Sequence, residues 1–281
     1  MDFSLKTYHE AWQRINQSQI IPHSIDLGQP IALAIFESIP STNTQLWELI
    51  DSGIKCPTGA IPKGRRSLIA RSQTAGKGQW GHSWISARGG LYLSVGLDLD
   101  LEINHYPHLV MATAWGIATV LRHYQLPVTI KWSNDLLLRQ RKLGGIKIET
   151  RNHQQKLVQA VVGVGINWRN SVPEPGINLE SYEQEQNIQN IPGINSLEAL
   201  TAIASSGIIL GYEYYLAVGI EKLLAKYLEI LSSLGQQINF NGCPGEVVGV
   251  TTAGKLQVKL RSPGATSMIA LSPGQISLGY G

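Results

Sequence analysis

Apolar residues return along this chain at two different spacings. In residues 31–39, 91–97, 128–132 and 157–167 they crowd together or alternate at the period of two that a strand requires, and 68–70 is a shorter run of the same kind. Leu46, Leu49 and Ile50 return instead at helical spacing behind Ser41-Thr42-Asn43, where Ser41 or Thr42 is the expected N-cap. That helix should run to about Asp51 and stop at Ser52-Gly53. In 108–124, Leu109, Ala112, Trp115, Gly116, Val120 and Leu121 predict a core-facing helix. A strand is expected at 135–138 before a turn at 139–142, and 145–150 should pair with 157–167 across a turn at 151–156. Residues 168–195, with Pro173, Pro175 and Pro192, read as a long surface loop. Residues 196–231 read as helix, weakened at Gly207 and Gly211.

The pattern changes near residues 234–240. Beyond it lie short strands at 245–251, 256–260, 267–271 and 275–278, separated by Gly/Pro turns, which is the signature of a small barrel of SH3-like size. The expected organisation is a short extension over 1–30, a main domain over 31–235 and the small barrel over 236–281. The extension should hold one short helix around Tyr8, Trp12 and Ile15, which is too little for a winged helix-turn-helix.

Composition narrows the class. With 43% hydrophobic and 15% charged residues the chain can bury a core. A net charge of +3 is too small for a general nucleic-acid binder or a polybasic membrane patch, so functional positive charge must be local. The two cysteines, Cys56 and Cys243, have no metal-ligand spacing and read as unpaired thiols. No secretory signal and no run of ~18 apolar residues is found, so a cytoplasmic protein with no membrane contact is expected.

Three segments carry candidate chemistry. In 73–84, Gly76, Gly78 and Gly81 surround Lys77, an arrangement that suits either an anion-binding nest or a plain mobile loop. It is not a P-loop, because GxxxxGK(S/T) is absent, nor a dinucleotide fingerprint, because its GxGxxG spacing opens no apolar-periodic helix. Trp80 and Trp84 need apolar cover there, which a bound ligand or an ordered flap would supply. In Lys131-Trp132-Ser133-Asn134-Asp135, followed by Lys142, two cations stand near oxygen donors. Such a set suits charge developing on a phosphate and a Mg²⁺ ion, though a turn with a solvated lysine has the same sequence. In 161–167, Gly163 and Gly165 interrupt a strand ending at Asn167, which marks close approach by a ligand or a neighbouring segment.

The order of these segments resembles the biotin–protein ligase family. Ser41-Thr42-Asn43, the Gln73 to Trp84 segment, Gly90-Leu91-Tyr92-Leu93-Ser94, Lys131 to Asp135, Arg141 to Gly145 and Gly163 to Asn167 follow one another as they do there. The likeness runs from about residue 34 to the C-terminus. It implies an α+β fold, with a mixed β-sheet flanked by helices and a small C-terminal SH3-like barrel. It also implies a reaction: biotin and ATP form biotinyl-5′-AMP with Mg²⁺, and the biotinyl group then passes to a lysine of a biotin carboxyl carrier domain.

By that resemblance Ser41, Thr42, Asn43 and Gln73 line the biotin head pocket, with Gly145 beside it. Lys77, Gly78 and Gln79 close over biotin, supported by Gly76, Trp80, Gly81 and Trp84. Lys142, with Lys77, meets the developing charge. Lys131, Trp132, Asn134, Asp135 and Asn167 face the nucleotide, and Asn134 and Asp135 the Mg²⁺. Two departures stand out. The family loop commonly carries arginines where this chain has Lys77, Gln79 and His82, and Ser133 stands where proline is usual. A monomer or homodimer without specific DNA binding is expected. A lipoate–protein ligase and a non-catalytic biotin sensor are the competing readings.

Overall fold

The computed structural model describes residues 3–52, 65–262 and 264–280. Gly53, Cys56 and Pro263, read above as a helix stop, a free thiol and a turn residue, lie outside them.

A seven-stranded sheet organises most of the chain, in the order β1-β2-β3-β7-β6-β5-β4. Its strands are β1 (Ala32–Phe36), β2 (Arg66–Ala70), β3 (Leu91–Glu102), β4 (Val128–Lys131), β5 (Asp135–Leu138), β6 (Arg141–His153) and β7 (Lys156–Ile166). Only β1 and β2 pair in parallel; every other neighbour is antiparallel. The sheet is therefore mixed, as the resemblance implies. β1 leads into α2 (Thr42–Ser52), which covers one face through Leu46, packed with Ala34, Leu68, Ala70 and Val161. The other face carries α1 (Leu5–Asn16), α3 (Tyr106–His123) and α5 (Leu197–Leu228), with Tyr8, Trp12 and Ile15 of α1 fully buried. The alternation of Leu68 and Ala70 against Ile69 divides β2 between these two cores.

Several expected boundaries move, each for a physical reason. β3 continues beyond residue 97, because Leu99 and Leu101 stay buried while Asp98, Asp100 and Glu102 face solvent. β6 begins at Arg141 and not at residue 145, because the preceding turn is only Arg139-Gln140, with φ of 50° and 63°. Gln154-Gln155 makes the next turn in the same way, at 48° and 65°. Two consecutive positive φ angles match the twist of a two-residue hairpin, which glycine or asparagine usually marks. The expected loop over 168–195 contains a helix, α4 (Leu179–Gln186), capped where Asn178 Oδ1 accepts from the Ser181 N–H at 2.6 Å.

α5 starts where expected, with Ser196 accepting from the Ala199 N–H. Gly207 and Gly211 do not weaken it. They lie against Gly116, Ile117 and Ala112 of α3, where any Cβ would overlap the opposing backbone. The helical path breaks instead at Gly219, at φ 78°. By length and composition α5 could cross a bilayer, but its first half is buried against α3 and α1.

The chain ends in a second, four-stranded antiparallel sheet, β11-β10-β9-β8, built from β8 (Gln237–Phe240), β9 (Cys243–Val250), β10 (Leu256–Ser262) and β11 (Ala265–Leu271). The strand expected at 275–278 does not form. Gln275 closes a turn by accepting from the Ser272 N–H at 2.6 Å, and the segment after it runs irregularly toward the main sheet. The two sheets meet at the Thr252-Ala253-Gly254 turn: His108 Nε2 lies 2.7 Å from the Thr252 carbonyl and Trp132 Nε1 donates to that of Gly254 at 3.1 Å.

Candidate active site

A cavity of about 460 Å³ opens on the α2 side of the main sheet. Of the residues singled out by sequence, Ser41, Thr42, Asn43, Gln73, Lys77, Gly78, Gln79, Trp80, Trp84, Lys131, Trp132, Asn134, Asp135, Lys142 and Gly145 all line it. Four separate segments thus converge on one space.

The first wall is the N-terminus of α2. Thr42 caps nothing with its own side chain; its N–H donates to Gln73 Oε1 at 2.7 Å, and its hydroxyl lies 3.2 Å from the same oxygen. Gln73 therefore does the capping expected of Ser41 or Thr42, and its Nε2 donates onward to Ser86 at 2.8 Å. Asn43 crosses the sheet. Its Oδ1 accepts from the Ser94 hydroxyl at 2.6 Å and its Nδ2 donates to the Lys147 carbonyl at 3.4 Å. Gly163 lies beneath it, and a Cβ there would overlap the Asn43 amide.

The glycine-rich segment is an ordered hairpin. Gly78 N–H donates to the His82 carbonyl at 2.7 Å and Trp84 N–H to that of Gly76 at 2.8 Å. Trp80 and Gly81 turn the tip with φ of 54° and 80°. Gly76 is buried behind the hairpin, and neither it nor Gly81 reaches the cavity. Lys77 Nζ donates to Thr44 Oγ1 at 2.8 Å, and Gln79 Nε2 to the Ile146 carbonyl at 3.1 Å, so both departures from the arginine pattern tie the loop to the body of the protein. The apolar cover that the two indoles need is supplied unequally. Trp84 lies on Gly165 and Gly145, where a Cβ at Gly165 would stand 2.5 Å from its ring. Trp80 is 67% exposed and lies 3.6 Å from the Cβ position of Gly274, in the turn after β11. Trp84 Nε1 is buried against Gly165 and has no hydrogen-bond partner among the described residues.

The third wall is charged. Lys131 and Asp135 stand opposite each other on β4 and β5, and Lys142 is the second residue of β6. Lys142 Nζ pairs with Asp135 Oδ1 at 2.8 Å. The Lys142 backbone is gripped as well: its N–H donates to the Pro175 carbonyl at 3.1 Å and its carbonyl accepts from Ile177 N–H at 3.0 Å. Burial holds the Lys131 ammonium below the usual lysine value, which Asp135 opposes and Lys142 reinforces. Asn134 donates to the Ile146 carbonyl at 2.8 Å and accepts from the Ser133 hydroxyl at 3.0 Å.

Asn167 is placed differently. It is 5% exposed and does not line this cavity; its Nδ2 donates to the Lys142 carbonyl at 3.4 Å and its Oδ1 accepts from Asn170 at 3.0 Å. It borders a smaller neighbouring hollow of about 210 Å³ that shares Ser83, Trp84, Lys142 and Tyr280 with the main one.

Tyr280, which sequence reasoning did not single out, also lines the cavity. Its hydroxyl donates to Asp135 Oδ2 at 2.6 Å, and its ring centroid lies 3.4 Å from Lys131 Nζ and 5.8 Å from Lys142 Nζ. Burial and the Asp135 carboxylate both push its hydroxyl above the usual phenol value, so it stays a donor. A tyrosine beyond the last strand, with no motif around it, carries no local signal.

Residues 35–167 match the model of the biotin/lipoate A/B protein ligase family. The bifunctional ligase/repressor BirA of Escherichia coli is 34% identical over 160 residues, which is 56% of this chain and 46% of that protein. The biotin–protein ligase of Schizosaccharomyces pombe is 27% identical over 209 residues, 66% of this chain and 33% of that protein. The chain thus spans less than half the length of these curated relatives. Among solved structures, a mutant biotin protein ligase from Aquifex aeolicus in complex with biotin superposes with a TM-score of 0.61 at 20% identity, covering 85% of this chain and 98% of that one. The enzyme from Leishmania major in complex with biotinyl-5-AMP gives 0.57 at 19% identity, covering 85% and 99%. The α+β fold with its C-terminal sheet is the one these structures share.

Proposed function

Because residues 35–167 match the model of the biotin/lipoate A/B protein ligase family, we propose that this chain is a biotin–protein ligase, joining biotin to AMP and then passing it to a lysine of a biotin carboxyl carrier domain. The observation that carries the proposal is the pairing, within one cavity, of an amide-and-hydroxyl wall with a charged wall. Thr42, Asn43 and Gln73 offer the donors and acceptors that a cyclic urea needs, while Lys131, Asp135 and Lys142 meet anions.

In the first step a biotin carboxylate oxygen attacks the α-phosphorus of ATP. The bond between that phosphorus and the bridging oxygen breaks, and pyrophosphate leaves with the electron pair. Lys142, already pointed by Asp135, stands where the carboxylate and the α-phosphoryl oxygens gather negative charge. In the second step the carrier amine attacks the acyl carbon and AMP leaves. Neither step needs a covalent enzyme intermediate.

Mg²⁺ belongs to this proposal. It prefers oxygen ligands and retains water. Asn134 and Asp135 supply oxygens of the right kind, but Asp135 already serves Lys142 and Tyr280 and Asn134 already accepts from Ser133. They suit an ion that takes most of its ligands from phosphates and water, and it would neutralise phosphate charge there.

Incubating the protein with biotin, Mg²⁺-ATP and a biotin carboxyl carrier domain, with lipoate and a lipoyl domain in parallel, tests the proposal. Mass analysis should find biotin joined to the carrier by loss of water and no lipoyl transfer. Lipoyl transfer alone, or no pyrophosphate release at all, would overturn it.

A further inference from the structure

Lys131 is a buried cation that no carboxylate claims. It is 9% exposed, and among the described residues its ammonium makes no hydrogen bond or ion pair. Asp135 lies opposite it in the strand register, yet one oxygen of that carboxylate is taken by Lys142 and the other by Tyr280. What Lys131 faces is the Tyr280 ring, 3.4 Å from Nζ to centroid. One side chain therefore completes both halves of the charged wall: its π-face meets the ammonium left over, and its hydroxyl stops the carboxylate from rotating away from Lys142.

The residue is held in place to do this. Leu278, two positions earlier, is 4% exposed and packed into the main core. From the turn side, Tyr227 donates to the Ser133 carbonyl at 3.0 Å, fixing the link between β4 and β5 on which Lys131 and Asp135 stand. We infer that Tyr280 is a positioning residue for adenylation, through which the segment beyond the second sheet sets the geometry of Lys131, Asp135 and Lys142.

This inference rests on the ligase reading, and the test separates the two. Biotin-dependent pyrophosphate release is measured first for the unaltered protein; its absence refutes the ligase reading and the inference falls with it. Given activity, Tyr280→Phe keeps the ring and loses the hydroxyl, whereas Tyr280→Ala loses both. Phenylalanine should lower kcat for adenylation roughly tenfold to a hundredfold and leave the biotin KM unchanged, as expected for loss of one hydrogen bond to a charged group. Alanine should lower it roughly tenfold further by uncovering the buried ammonium. Competitive amine labelling supplies a readout apart from activity: Lys131 should react faster in Tyr280→Ala and at the original rate in Tyr280→Phe. Should alanine prevent folding, the phenylalanine variant decides by its kcat alone. A folded Tyr280→Phe with unchanged kcat, or an alanine variant that works faster, would overturn the inference, the latter by making the ring an obstruction.

Discussion

Lys142 Nζ reaches Asp135 Oδ1 at 2.8 Å from the far side of a turn only two residues long, Arg139-Gln140. The register puts Asp135 opposite Gly145 and Leu137 opposite Lys142, so the lysine side chain lies back along the hairpin to meet the carboxylate. A Cβ at Gly145 would stand 3.7 Å from Lys142 Cε, in ordinary contact with the lysine stem.

Replacing Lys142 with alanine should remove the cation that faces the developing charge. Adenylation is expected to fall by about 3 kcal/mol, or roughly a hundredfold, in biotin-dependent pyrophosphate release. The pair is partly solvated, with side chains 28% and 16% exposed, so thermal unfolding should change by no more than about 1 kcal/mol. Near-normal turnover would remove Lys142 from the mechanism.

Gly165→Ala should displace Trp84, because the new methyl group would stand 2.5 Å from the indole, with the rigid strand behind it. Overpacking of this kind costs about 1–3 kcal/mol. The loss should appear as weaker biotin binding by calorimetry, and Gly163→Ala should weaken it similarly through Asn43. Unchanged affinity in both variants would mean that neither contact shapes the pocket.

Gln73→Ala should leave the first turn of α2 without its acceptor and Ser86 without its donor. Loss of a cap costs about 1 kcal/mol, read as a lower midpoint in urea. Biotin binding should fall as well, since the amide also faces the cavity.

The joint between the sheets should respond to acid. Burial holds the His108 imidazole below its usual value, with the stacked His105 ring adding to this and the Thr252 carbonyl and Glu221 opposing it. His108 Nδ1 lies 2.9 Å from the Tyr215 hydroxyl, and the neutral ring can accept there while Nε2 donates to Thr252. A depressed folded-state value means that the unfolded chain takes up the proton first as pH falls. This contribution is complete above about pH 6.5 and is lost as the pH drops through the folded-state value. Melting curves between neutral and mildly acidic pH should show that fall, and His108→Gln should flatten it. An equal acid response in the variant would assign the effect elsewhere.

Much of this site was legible because its signals are local. Gly163 and Gly165 could be read as places of close approach, and the structure fills them with Asn43 and Trp84. Ser196 could be read as a helix start because its side chain caps within three residues. The parts that escaped depend on distance or on unusual local chemistry. Arg139-Gln140 and Gln154-Gln155 adopt a hairpin geometry that their residue types do not advertise, so β6 was read short. The cap of α2 comes from Gln73, 31 positions away. Tyr280 meets Asp135 across 145 positions, and nothing near it in sequence predicts the encounter.

Gly163 and Gly165 stand two positions apart on β7, so both notches open on the same side of the sheet, about 7 Å from one another along the strand. Asn43 sits in one and Trp84 in the other, although one comes from a helix and the other from a hairpin. The strand therefore acts as a ruler: the interval between the amide and the indole is the pitch of a β-repeat, set by β7 and not by the chain that joins residue 43 to residue 84. A single-residue insertion between the two glycines would turn one notch to the opposite face and abolish the measure at once.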